Sequence, residues 1–193
     1  MDKFGKSGAL IIVDVQNDFC PGGALAVPDG DQVIPVLNQW IEAAVKAQAV
    51  IIATRDWHPP EHISFRARDG PWPPHCVQNT PGAELHGKLQ LPDDATIINK
   101  GFDPDHDSYS GFDHTDLDLR LKAAGARRLW LGGLALDYCV MSTAQDAVKL
   151  GYEVHIITAA TRSIGTSHEE IQATVAQLRN AGVFLEGALQ KTG

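Results

Sequence analysis

Short apolar runs rich in β-branched residues recur along this chain, and segments of helical periodicity separate them. No other feature constrains the fold as tightly. Residues 9–13, 50–54, 96–99 and 129–131 are such runs, with 153–158 and 183–185 as a fifth and a sixth. Near-continuous apolarity is what strands buried on both faces of a parallel sheet require. Between the first two runs, Val33, Val36, Leu37, Trp40, Ile41 and Ala44 follow the i, i+3, i+4, i+7 stripe of an amphipathic helix. Thr115 with Asp118, and Ser167 with Glu170, have the spacing of capping boxes, while Gly125, Gly151 and Gly182 fall where helix C-terminal caps belong. Residues 116–121 alternate with period two, as a strand would, but the cap signal before them and Lys122-Ala-Ala-Gly after them favour a helix. The pattern predicts a single α/β domain over residues 1–193, a three-layer α/β/α arrangement around a mostly parallel sheet of about six strands.

A chain of 193 residues is long enough to bury a sizeable core. Sixteen Lys and Arg against 24 Asp and Glu give a formal charge of -8, which lacks the basic footprint of a nucleic-acid binder and has no polybasic segment for an anionic membrane. No stretch approaches the roughly 18 apolar residues of a membrane span. Three cysteines, Cys20, Cys76 and Cys139, are too few and too odd in number for a disulfide framework. Cytoplasmic residence with reduced thiols is the expectation; a homo-oligomer is left open.

Residues 55–94 break the pattern. They hold seven of the eleven prolines and four of the eight histidines, with little periodicity. A connection that long inside one domain is uncommon and usually functional. It begins at a strand end, and ligands of open α/β sheets bind beyond the carboxyl ends of the strands.

Polar residues stand at several of those ends: Asp14, Asp56 and Lys100, with Cys139 shortly after the fourth run. A parallel sheet brings such ends to one side, so an acid, a cation and a thiol can meet despite wide separation in sequence. A thiolate is the competent nucleophile, and a nearby cation or a helix N-terminus favours it. A lone cysteine is more commonly an inert buried side chain; it is the company of Asp14 and Lys100 that makes Cys139 a candidate. Gly132 and Gly133 suit a tight strand-to-helix crossing, where backbone N–H groups are natural oxyanion donors. Asp56, His58, His62 and His75 combine carboxylate and imidazole as zinc, iron and manganese sites do. His86, His106, His114, His155 and His168 lack such context and read as structural or surface residues. Phe19, Trp72 and Tyr109 are aromatic faces near these elements.

These landmarks carry a resemblance. Ile12-Val-Asp-Val-Gln-Asn-Asp-Phe-Cys-Pro-Gly-Gly, Thr54-Arg-Asp-Trp-His-Pro with His62-Ile-Ser-Phe, Trp72-Pro-Pro-His-Cys, Asn99-Lys-Gly and Gly133-Leu-Ala-Leu-Asp-Tyr-Cys-Val together resemble the nicotinamidases of the isochorismatase-like hydrolase superfamily. The Asp, Lys and Cys set marks the cysteine hydrolases of the superfamily broadly; the metal motif marks the nicotinamidase branch.

The resemblance implies Asp14 as general base, Lys100 as catalytic cation and Cys139 as nucleophile. It implies Asp56, His58 and His75 as ligands of one divalent metal, zinc first and iron or manganese as alternatives. His62 matches a further ligand in some members and a residue behind the ligands in others. Phe19 and Trp72 match a ring sandwich, and Tyr109 a third wall beside an expanded stretch at 102–107. Leu134, grouped with the substrate-binding positions, and Ala135 match a cis peptide, and the N–H groups of Ala135 and Cys139 an oxyanion hole. The implied substrate is a small aromatic carboxamide, nicotinamide or pyrazinamide, cleaved through a thioester. A metal-independent N-carbamoyl amidase and a non-catalytic metabolite-binding relative are the competing readings.

Overall fold

A computed structural model describes residues 4–187. Six strands are present: β1 (Gly8–Val13), β2 (Val50–Asp56), β3 (Thr96–Lys100), β4 (Arg128–Leu134), β5 (Glu153–Arg162) and β6 (Phe184–Glu186). They form one sheet in the order β3-β2-β1-β4-β5-β6, and every pairing is parallel. All six fall on the apolar runs, and the expected three-layer architecture is the one observed. Strands β2, β3 and β4 extend further at their carboxyl ends than the apolar runs suggest, so that Asp56 and Lys100 are final strand residues, still held by ladder pairing.

Four α-helices cover the sheet: α1 (Val33–Lys46), α2 (Leu117–Ala123), α3 (Met141–Lys149) and α4 (His168–Asn180). Helix α1 buries Val33, Ile34, Leu37, Ile41 and Ala44 against one face, in a cluster with Leu10, Ile12 and Ala53. Helices α2, α3 and α4 cover the other face through Leu117, Leu121, Ala144 and Leu178, packed against Ile11, Val13 and Leu131. Alternate residues of β1 thus enter opposite cores, as the two-residue period of a strand demands.

Local signals set the helix ends. Ser167 Oγ accepts from the Glu170 N–H, and the Glu170 carboxylate accepts from the Ser167 N–H, a complete capping box. Gly125, Gly151 and Gly182 have positive φ at the ends of α2, α3 and α4. The box expected at Thr115 is absent. Its hydroxyl donates to the Gly111 carbonyl, α2 starts one residue later with Asp116 at its N-cap, and Asp118 turns outward to Lys122. The period-two stretch is helical, as its flanking signals require.

The strand order reverses direction between β1 and β4. Such a switch point opens a crevice at the carboxyl edge of the sheet, because the connections on either side run to opposite faces. Asp14 leaves β1 there with a left-handed φ of 49°, a region Asp tolerates better than most residues. Strand β4 leaves through Gly133, φ 127°, where a Cβ would stand 2.0 Å from the Val13 carbonyl oxygen. Only glycine permits that approach. The peptide Leu134-Ala135 is cis, as the resemblance implied. A π turn, Leu136–Val140, then carries Cys139 into α3. Among the described residues no helix is long and apolar enough to cross a membrane.

Candidate active site

Three adjacent strands, β3, β2 and β1, and the turn after β4 deliver the reactive groups to one point. Lys100 reaches from β3 across the end of β2. Its Nζ lies 3.0 Å from Asp14 Oδ2, in a closer ion pair with Asp56 Oδ1, 3.2 Å from the Ser108 carbonyl oxygen and 3.5 Å from Cys139 Sγ. Lys100 and Asp14 are fully buried, and Asp56 and Cys139 nearly so. The triad residues do converge.

Electrostatics divides the roles. Burial works against a charged Lys100, but Asp14, Asp56 and the Cys139 sulfur outweigh it and hold its pKa well above the usual lysine range. Burial pushes Asp14 up, against the lowering pull of Lys100 and of the Thr54 hydroxyl, which donates to Oδ1 at 2.6 Å. Burial also pushes the Cys139 thiol well above its ordinary value; Lys100 lowers it, while the two carboxylates raise it further. Asp56 goes the other way. Burial disfavours its charge, yet Lys100, then His58 and His75, hold it well below the carboxylate range. Burial thus favours the protonated thiol over the bare thiolate. Asp14 Oδ2, although paired with Lys100, has no aligned hydrogen-bond donor, so a lone pair remains for that proton.

Asp56, His58 and His75 lie beside this group, all buried, with one donor atom from each mutually within 4.8 Å. His58 Nδ1 donates to the Gly101 carbonyl and His75 Nδ1 to the Pro73 carbonyl, both at 2.8 Å. Those bonds fix the tautomers and leave the two Nε2 lone pairs for a cation. Asp14 and Asp56 are balanced within hydrogen-bonding distance only by Lys100, so an added positive charge suits the site. On donor type, tautomer and charge, the three residues fit a divalent ion. His62 is placed behind them. It stacks on His58 with centroids 4.1 Å apart, its Nδ1 accepts from the Ser64 hydroxyl at 2.7 Å, and its Nε2 donates to the His106 carbonyl at 3.1 Å.

The expected aromatic residues contact one another and the histidine cluster in pairs. Phe19 is buried with its ring 5.6 Å from that of His75. Trp72 Nε1 donates to Tyr109 Oη at 3.0 Å, and burial pushes the Tyr109 hydroxyl up to about 12. Leu134 is fully buried. The sequence reading overlooked Tyr138, whose ring sits 5.2 Å from Trp72 and 5.7 Å from Tyr109; adjacency to Cys139 was its only signal. It also overlooked two supports in the segment after β1. Gln16, fully buried, accepts from the Asp56 N–H and donates to the Asp56 and Ala83 carbonyls. Asp18 accepts from the Cys76 N–H at 2.7 Å and so braces the residue beside His75. A cavity of about 710 Å³ opens at the opposite edge of the sheet, but its only charged walls are Asp94 and Arg120, far from this chemistry.

A buried thiol flanked by a carboxylate and an ammonium, at the switch point of a parallel sheet, is an arrangement suited to nucleophilic chemistry. The chain belongs to the isochorismatase family: residues 8–186 match the Isochorismatase domain. It is 39% identical over 198 residues to a nicotinamidase of Escherichia coli, covering 92% of this chain and 93% of the relative. A pyrazinamidase of Pyrococcus horikoshii solved in complex with zinc is 47% identical, with a TM-score of 0.89 over 94% of this chain and 99% of that one. A protein of L. infantum solved in complex with nicotinate is 39% identical, with a TM-score of 0.84 over 94% of this chain and 92% of that one.

Proposed function

We propose that this chain is an amidohydrolase that converts nicotinamide to nicotinate and ammonia, and pyrazinamide likewise, through a thioester on Cys139. The observation that carries the reading is Lys100, which joins the Asp14 and Cys139 pair to the Asp56, His58 and His75 cluster in one buried network. The similarity to a nicotinamidase and to a nicotinate complex supports the substrate class.

Asp14 takes the thiol proton through the free lone pair of Oδ2, and Lys100 stabilises the sulfur anion. Burial raises the proton affinity of both Asp14 and the thiol, and Lys100 opposes both rises. Cys139 Sγ adds to the carboxamide carbon while the N–H groups of Ala135 and Cys139 hold the oxyanion. The C–N bond breaks as protonated Asp14 gives its proton to the departing ammonia. Asp14 then takes a proton from water, whose oxygen attacks the thioester; the acid leaves and the proton returns to sulfur. Phe19, Trp72, Tyr109 and Leu134 surround the ring and set the amide over the thiol. Asp56, His58 and His75 are the residues that would hold one divalent ion, zinc first with iron and manganese as alternatives, which would supply an electrophilic anchor for the substrate ring.

The test is a panel of nicotinamide, pyrazinamide and a carbamoyl amine, read by ammonia release, and isochorismate, read by pyruvate release, with Cys139→Ala alongside. Turnover of the first two, lost by roughly 10⁴-fold or more in the variant, is expected. Turnover of the carbamoyl amine alone would move the assignment to an N-carbamoyl amidase, and retained turnover in Cys139→Ala would remove the nucleophile.

A further inference from the structure

Strands β4 and β5 pair as far as Leu134 and Arg162. Both segments then leave the sheet, β4 into the turn that carries Cys139 and β5 into the connection to α4. Beyond the last ladder pair a side chain takes over the link between them. Asp137 Oδ1 accepts from the Ile164 N–H at 3.0 Å, and Oδ2 accepts from the Gly165 N–H at 2.8 Å. An acidic residue in a first helical turn ordinarily serves its own helix, through the free N–H groups and the dipole. Asp137 instead turns both oxygens outward, to two successive amides 27 and 28 positions away. Leu136, Cys139 and Val140 are held by burial on the inner side of the turn, where the Ala135 carbonyl also accepts from the N–H groups of Tyr138 and Val140. On its outer side the turn borders an open cavity of about 460 Å³, whose walls include Asp137, Tyr138, Ile164, Gly165 and Glu170. There, hydrogen bonds to a carboxylate do what packing does on the inner side.

We propose that Asp137 is a positioning residue for the nucleophile: it ties the Cys139 turn to residues 164–165 and so keeps the sulfur 3.5 Å from Lys100 Nζ. The consequence is geometric. One short segment carries both the sulfur and the Cys139 N–H, so a shift of that segment moves the thiol from its cation and the N–H from the oxyanion together. A misplacement of about 1 Å can cost about 100-fold in rate. The effect on turnover rests on the amide hydrolysis proposed above; the effect on the thiol does not.

Wild type, Asp137→Asn and Asp137→Ala are compared as whole chains in two assays. Iodoacetamide alkylation, read by peptide mass spectrometry, gives separate rates for Cys20, Cys76 and Cys139, all of them buried. Cys139 should slow by about 10-fold in Asp137→Ala and by about 3-fold in Asp137→Asn, which keeps the shape and one acceptor, while Cys20 and Cys76 keep their wild-type rates. A merely loosened fold would speed all three. In nicotinamide hydrolysis, Asp137→Ala should lose kcat by about 10-fold or more with KM within about 3-fold, because Phe19, Trp72 and Tyr109 stand on other segments. A Cys139 alkylation rate within about 2-fold of wild type in both variants, or one that rises, overturns the proposal, as does a change in KM alone. If Asp137→Ala does not fold, the Asp137→Asn rate decides. Absence of nicotinamide turnover in wild type would refute the amidase reading and leave the alkylation rates to judge Asp137.

Discussion

Replacement of Lys100 by Met tests the electrostatic account of the site most directly. Methionine matches the lysine stem in length but leaves Asp14 and Asp56 buried without their common cation. At an effective dielectric of 20, a unit pair at the 3.0 Å separation of Lys100 Nζ and Asp14 Oδ2 attracts by about 5.5 kcal/mol. Part of that gain offsets the desolvation of the lysine, and breaking a buried pair by removing one partner costs about 3–5 kcal/mol net. The loss should depend on pH. Asp14 already has its pKa raised by burial, with Lys100 opposing the rise. A carboxylate whose folded pKa is raised destabilises the fold above that pKa, and the penalty is relieved progressively as pH falls from the folded pKa to the unfolded one. Without Lys100 the pKa rises further, so the penalty is larger at neutral pH and its relief begins at a higher pH. Urea denaturation of metal-free wild type and Lys100→Met at pH 7.5 and pH 5 measures the gap between them. The gap should be about 3 kcal/mol or more at the higher pH and shrink on acidification; a variant that folds only at the lower pH meets the same expectation. A gap under about 1 kcal/mol, or one equal at both pH values, would refute the reasoning.

Two further outcomes follow from single contacts. Gly101→Ala places a Cβ 2.5 Å from His58 Cε1 at a residue with φ 62°, so it should displace the His58 ring and weaken zinc binding by roughly 10-fold or more, measured by chelator competition, while the sheet signal in circular dichroism persists. Ser167→Ala removes the hydroxyl half of the α4 capping box, the acceptor of the Glu170 N–H, and should cost about 1 kcal/mol in urea denaturation with zinc affinity unchanged.

Much of this was legible because strand geometry turns position in sequence into position in space. Once the six runs are read as parallel strands, Asp14, Asp56 and Lys100 must share an edge, and the structure joins them through one ammonium. What escaped the reading depended on partners with no regular spacing. Thr115 carries the letters of a capping box, but its hydroxyl donates to the Gly111 carbonyl and accepts from the Leu117 N–H rather than from Asp118, a geometry set by the turn of the preceding loop. Gln16 and Asp18 are short-range neighbours of a strand end whose partners, Asp56, Ala83 and Cys76, lie 40 to 67 positions away.

Asp56 shows why the long insertion and the nucleophile form one functional unit. Its two oxygens face different partners: Oδ1 pairs with Lys100, and Oδ2 lies 3.6 Å from His58 Nε2. A single carboxylate therefore orients the cation beside Cys139 and helps form the cluster that suits a divalent ion. Its own geometry is over-determined, by the last register of β2 on β3 and by Gln16, which takes both its N–H and its carbonyl. That rigidity matters because Lys100 is, among the described residues, the only ammonium contacting Asp14, Asp56 and Cys139 together, and it has four rotatable stem bonds that burial and these contacts must immobilise. With Asp56 fixed, Lys100 is fixed; with Lys100 fixed, the thiol has a cation at 3.5 Å and a carboxylate lone pair for its proton. The chemistry of Cys139 is thus set two residues away, at the carboxyl end of β2.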